Sequence, residues 1–73
     1  MIEAVVVKRR TLITEAWASE PPWLRLYLNT PLLLEAGQSY WVDADTESVI
    51  VEDADGVRHS FPGHQRDPAE RLR

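Results

Sequence analysis

The chain has 73 residues, 44% of them apolar, and its 12 Asp and Glu outweigh 8 Lys and Arg to give a formal net charge of −4. That length allows one domain with a thin core, and the apolar share argues against global disorder. The absence of cysteine excludes disulfides, thiol catalysis and thiolate zinc sites, and fits a reducing cytoplasm.

The segment EAVVVKR is short, continuous and β-branched, which predicts a strand buried on both faces or crossing a small barrel. Its apolar run, residues 4–7, is too short for a signal peptide, and cations follow it rather than precede it. No stretch approaches the roughly 20 apolar residues of a membrane helix. RTLITEAW follows, with Leu12, Thr14 and Ala16 on one face of a strand and Ile13, Glu15 and Trp17 on the other. The same residues also suit a single helical turn capped by Thr14. Pro21 and Pro22 break whatever precedes them.

WLRLYLN alternates by residue. Leu24, Leu26 and Leu28 point one way and Trp23, Arg25 and Tyr27 the other, as in a half-buried strand. LLLEAG is either a strand or a helical turn stopped by Gly37. SYWVD, ESVIVED and VRHSF then read as an antiparallel meander, with Asp55-Gly56 the strongest hairpin signal. Residues 1–61 form a single β-rich domain on this reading, and 62–73 a polar, flexible tail in which Asp67-Pro68 suits a helix start. The predicted fold is mainly β, with room for one short helix. A small antiparallel sheet or an SH3- or OB-like barrel fits it.

No motif identifies a reaction, a cofactor or a metal. Asp43, Asp45 and Glu47 have the spacing of a calcium loop, but Ser48 and Ala54 stand where that loop needs glycine and glutamate. His59 shares an expected strand face with Val57 and Phe61, half-buried beside the core, and no cysteine completes a zinc set around it or His64. Nothing supports a catalytic triad or a glycine-rich phosphate loop, so the chain reads as a non-enzyme.

Binding is the remaining class. Lys8, Arg9 and Arg10 form one basic cluster, while six carboxylates and no cation lie between Asp43 and Asp55. Such a chain either has opposite faces of opposite sign, suited to steered docking, or simply solvated turns. Trp41 reads as core, whereas Trp23 and Tyr27 divide evenly between core and interface anchor. The aromatic–cation face of Trp23, Arg25 and Tyr27 also suits stacked single-stranded bases, although the acidic segment opposes a polyanion. Val6, Val7, Lys8, Arg9 and Arg10 suit a sheet edge that discourages indiscriminate pairing yet accepts a chosen strand. An antitoxin-like or oligomeric structural module is a further alternative.

With its start MIEAVVVKRR and its charged tail DPAERLR, the chain resembles the small phage-encoded regulators of bacterial RNA polymerase, of the Xanthomonas-phage transcription inhibitor and antiterminator kind. The resemblance implies a cytoplasmic, monomeric non-enzyme without cofactor. It would bind the polymerase β and β′ subunits, displace the sigma factor and promote antitermination, with direct nucleic-acid contact a secondary role. The contact residues expected for it (Val6 to Arg10, Trp23, Arg25 and Tyr27) come from the physical reading above.

Overall fold

A computed structural model describes residues 4–18 and 23–65. Among them every regular element is a strand: β1 Val5–Val6, β2 Thr11–Trp17, β3 Arg25–Leu34, β4 Ser39–Asp43, β5 Ser48–Glu52 and β6 Arg58–His64. They form one antiparallel six-stranded sheet of order β1-β4-β5-β6-β3-β2, curled into a half-barrel. No helix among the described residues is long and apolar enough to cross a membrane.

The meander of β4, β5 and β6 stands where the sequence predicted it, paired residue by residue from Ser39↔Glu52 to Asp43↔Ser48 and from Ser48↔Pro62 to Glu52↔Arg58. Its second turn depends on Gly56 at φ 84° and on Asp53, whose carboxylate oxygen accepts the N–H groups of Asp55 and Val57. A side chain at that positive φ would be strained, so glycine fits there. β6 runs on through Pro62 and Gly63 to His64, three residues beyond the expected end of the domain at Phe61. The expected flexible tail from Arg66 onward, and the Pro21-Pro22 break, lie outside the described residues.

β2 and β3 pair with a displacement that sets the curl. Ile13 lies opposite Leu32 and Glu15 opposite Tyr27, so Thr14 alone faces Leu28, Asn29, Thr30 and Pro31. Proline offers no N–H to the ladder, and the extra residues bend the strand sharply. The displacement also changes which side chains point inward. Ile13 and Ala16 are both buried, whereas strict alternation placed them on opposite faces. Leu12 with Leu33, Glu15 with Tyr27, and Trp17 with Arg25 form the outward row of cross-strand pairs. Residues 12–17 are therefore strand, and the helical-turn alternatives for them and for the leucines of LLLEAG fall away.

The core holds Val7, Ile13, Ala16, Leu24, Leu26, Leu34, Val42, Val49 and Val51, with Leu26 and Val49 fully enclosed. Each such side chain contributes roughly 1.5–3 kcal/mol through burial. The alternation of WLRLYLN is realised: Leu24 and Leu26 are buried while Trp23 is exposed. Trp41, expected in the core, faces outward in the row Trp41–Ile50–Ser60, with the Arg58 guanidinium 5.2 Å from its ring centroid. His59 is likewise exposed rather than half-buried, lying one residue into its strand beside the β5–β6 turn. Branched aliphatics fill this narrow half-barrel; a tryptophan ring is too large for it.

Candidate functional site

The strand registers sort the loops into two ends. At one end the β1–β2 corner meets the β3–β4 turn, where Gly37 N–H donates to Val7 C=O at 2.9 Å and Val7 N–H to Gln38 C=O at 2.8 Å. The β5–β6 turn lies at that end too, since a Cβ built on Gly37 would sit 3.9 Å from Ala54 Cβ. At the other end lie Trp17, the start of β3, the end of β6 and the β4–β5 turn. There Glu47 C=O accepts the Gly63 N–H at 3.0 Å and its carboxylate accepts Gln65 Nε2 at 3.4 Å.

This division corrects the charge map expected from the sequence. The six carboxylates do not form one acidic face. Asp43, Asp45 and Glu47 cap one end, and Glu52, Asp53 and Asp55 cap the other, the same end as the basic cluster. Asp43 uses a carboxylate oxygen to accept its neighbour Asp45 N–H at 3.0 Å. Among the described residues no group of three His, Asp or Glu side chains is placed to hold a metal ion.

The predicted contact residues fall into two patches. The first is the β1–β2 corner. β1 is only two residues long, and Val6 is 62% exposed, so the expected doubly buried strand is replaced by a short edge with a single neighbour, β4. Val7 turns the other way and is 6% exposed, which removes it from any contact surface. Lys8, Arg9 and Arg10 all lie in solvent at the corner. The Arg10 Nε donates to both carboxylate oxygens of Glu35, at 2.8 and 3.0 Å. That hydrogen bond, and then the Glu35 charge, hold the Arg10 guanidinium pKa above its ordinary value. Among the described residues Lys8 and Arg9 make no hydrogen bond or ion pair through their side chains, so these two cations have no counter-charge there.

The second patch lies on the outward face of β2 and β3 at the far end. The Arg25 guanidinium lies 3.5 Å from the Trp17 ring centroid, and its Nη1 donates to the Tyr27 hydroxyl at 3.0 Å. Tyr27 in turn lies beside His64, with ring centroids 6.2 Å apart. A planar guanidinium on an indole face is a favourable pairing, and it fixes the cation in one orientation. The Arg25 Nε is buried without a partner. Trp23, 71% exposed, precedes β3 at this end. Trp17 is the residue that sequence reasoning missed here. Its pairing with Arg25 follows from the displaced β2–β3 register, which periodicity within either segment does not reveal.

β2 joins the two patches. It starts beside the Lys8–Arg9 corner and ends at Trp17, seven residues that span about 20 Å at the usual strand rise. Comparison with protein-family models, with curated proteins and with solved structures found no match.

Proposed function

We propose that this chain is a contact-acting protein that binds bacterial RNA polymerase in the host cytoplasm, displaces the sigma factor from the initiating enzyme and promotes antitermination. The resemblance of its start and tail to small phage-encoded regulators supplies the partner. The observation that carries the mode of action is the placement of two exposed patches, one basic and one aromatic–cationic, at opposite ends of β2. A domain this small touches two surfaces at once only if its anchors stand apart, and a β and a β′ contact would each need one. Exposed tryptophan and arginine are the residue types that dominate such contacts.

The test is co-elution of the purified chain with nuclease-treated bacterial core polymerase, followed by promoter-dependent transcription with and without a terminator. The expected outcome is a stoichiometric complex with core enzyme, sigma factor released once the chain is added, and read-through of the terminator. Failure to co-elute with both core and holoenzyme would reject the proposal.

A second reading, single-stranded nucleic-acid binding through Trp23, Arg25 and Tyr27, draws on the exposed indoles of Trp17 and Trp23. Glu15 beside Tyr27, and the acidic β4–β5 turn at the same end, oppose it. It predicts oligonucleotide binding that weakens steeply with salt.

A further inference from the structure

We propose that the outer side of β2 accepts an extended, antiparallel segment of a partner protein that carries carboxylates at its C-terminal end. This rests on the protein-binding reading above and names the partner's chemistry. Among the described residues β2 is hydrogen-bonded to β3 alone, and no strand pairs with its other side. An edge strand presents outward N–H and C=O groups that an added strand satisfies, which is how many domains capture peptides.

Two features of this edge select the occupant. The outward row beside it is apolar at intervals, with Leu12 62% exposed, its cross-strand neighbour Leu33 exposed, and Trp17 55% exposed. Alternate apolar side chains of an added strand would cover that row. The charges are uneven. Among the described residues Lys8 and Arg9 stand without a counter-charge just before β2, Arg10 is already matched by Glu35, and Glu15 is the one carboxylate within β2. An antiparallel segment passing Trp17 first reaches Lys8 and Arg9 with its C-terminal end, so carboxylates there complete the contact.

The alternatives at this edge are disfavoured by the same geometry. Among the described residues β1, the edge that the valine run suggested, offers only Val5–Val6, too little ladder for a bound strand. In a second copy paired antiparallel on β2, each Lys8–Arg9 corner would approach the other copy's Trp17 end, where Arg25 opposes the two cations and β2 itself offers the single carboxylate of Glu15. An acidic segment from a different protein has no such conflict.

The experiment uses the full chain labelled with nitrogen-15 and titrated with a short peptide of alternating threonine and valine ending in three aspartates. The same peptide ending in three lysines serves as comparison. The expected result is amide shifts confined to residues 8–17, slowed hydrogen exchange along β2, and clearly weaker binding of the lysine peptide. K8E/R9E, at an exposed corner, should weaken the aspartate peptide by roughly tenfold or more, as loss of two charge contacts implies. Leu12→Glu, also exposed, should weaken it as well. Equal binding of both peptides, shifts centred on β1 or the β4–β6 meander, no binding of either at millimolar concentration, or a dimer formed through β2 would each overturn the inference. Polymerase binding that survives K8E/R9E and Leu12→Glu would overturn it too, while leaving the polymerase proposal standing. Peptide capture at β2 with no polymerase complex would do the reverse.

Discussion

Gly63 offers the sharpest test of how the half-barrel is joined. Among the described residues β3 and β6 share only two register pairs, Tyr27↔His64 and Leu28↔Gly63, and that short seam connects the β2–β3 hairpin to the remaining strands. A Cβ placed on Gly63 would lie 3.0 Å from Leu26 Cβ, 3.4 Å from the Tyr27 carbonyl oxygen and 3.5 Å from Leu26 Cδ1. The closest atom is a Cβ, fixed by the backbone, on a fully buried residue, so no rotamer change relieves the contact. Either the two strands separate by a few tenths of an ångström or the seam shifts. Overpacking of this kind costs about 1–3 kcal/mol. Replacing glycine also removes unfolded-state freedom and returns about 0.4–1 kcal/mol. The expected net effect of Gly63→Ala is therefore a loss of about 1–2 kcal/mol, a large fraction of the roughly 3–5 kcal/mol that a core of this size supplies. Urea unfolding followed by tryptophan fluorescence should show a midpoint lowered by roughly 1 M, for a slope near 1 kcal/mol/M. Amide exchange should quicken first at Tyr27 and Leu28. An unchanged or raised midpoint would refute the claim that this seam is closed by backbone proximity.

Other substitutions probe separate parts of the molecule. Leu26→Ala, at a fully enclosed position, should cost about 2–5 kcal/mol and leave the chain largely unfolded at ambient temperature, measured by far-UV circular dichroism. Gly56→Ala places a side chain at φ 84° in open space, so only backbone strain of about 1–2 kcal/mol is expected, without the exchange changes at β3. Arg25→Met keeps the aliphatic stem but removes the cation from Trp17 and the hydrogen bond to Tyr27. It should cost about 1 kcal/mol in urea unfolding, because relief of the unpartnered Nε offsets part of the loss. Glu35→Gln should leave the unfolding midpoint unmoved, since both members of the Arg10 pair are exposed; a shift well outside experimental error would contradict that.

The parts of the fold that were legible in the sequence are those in which neighbouring residues suffice. Asp55-Gly56 between two β-branched runs specified a hairpin, and the alternation of residues 23–28 specified which leucines are enclosed. What was not legible depends on where a strand sits in the sheet. The run Val5, Val6, Val7 looks buried by composition, but its position at an edge leaves two of the three valines in solvent. The faces of β2 were misassigned because Thr14 opposes the bend of β3, and one displaced register inverts the inward side for every residue beyond it. The candidate site followed the same division. Trp23, Arg25 and Tyr27 were found through their shared period, whereas Trp17 joined them only through cross-strand register, and Val7 left the set once burial was known.

An open edge as long as β2 invites indiscriminate pairing, and the arrangement around it explains how selectivity is retained. The bend opposite Thr14 prevents β2 and β3 from presenting a flat, regular ladder, and Pro31 at that bend donates no hydrogen bond. Glu15 places a negative charge in the second half of the strand, while Lys8 and Arg9 place positive charge at its start. A strand that docks here must therefore follow the bend, tolerate one carboxylate in its path and carry negative charge at the end that reaches the corner. Identical copies meet the last condition only in part, because each brings Glu15 but also Arg25 to the other's corner. Neutralising Lys8 and Arg9 should thus have a double effect: weaker capture of acidic segments, and a rise in self-association to the extent that repulsion from the other copy's Arg25 outweighs attraction to its Glu15. Sedimentation velocity of K8A/R9A over increasing protein concentration measures the second effect directly. A variant that remains monomeric while losing acidic-peptide binding would show that the cations select the partner but do not guard the edge, and the bend of β3 would then account for the guarding alone.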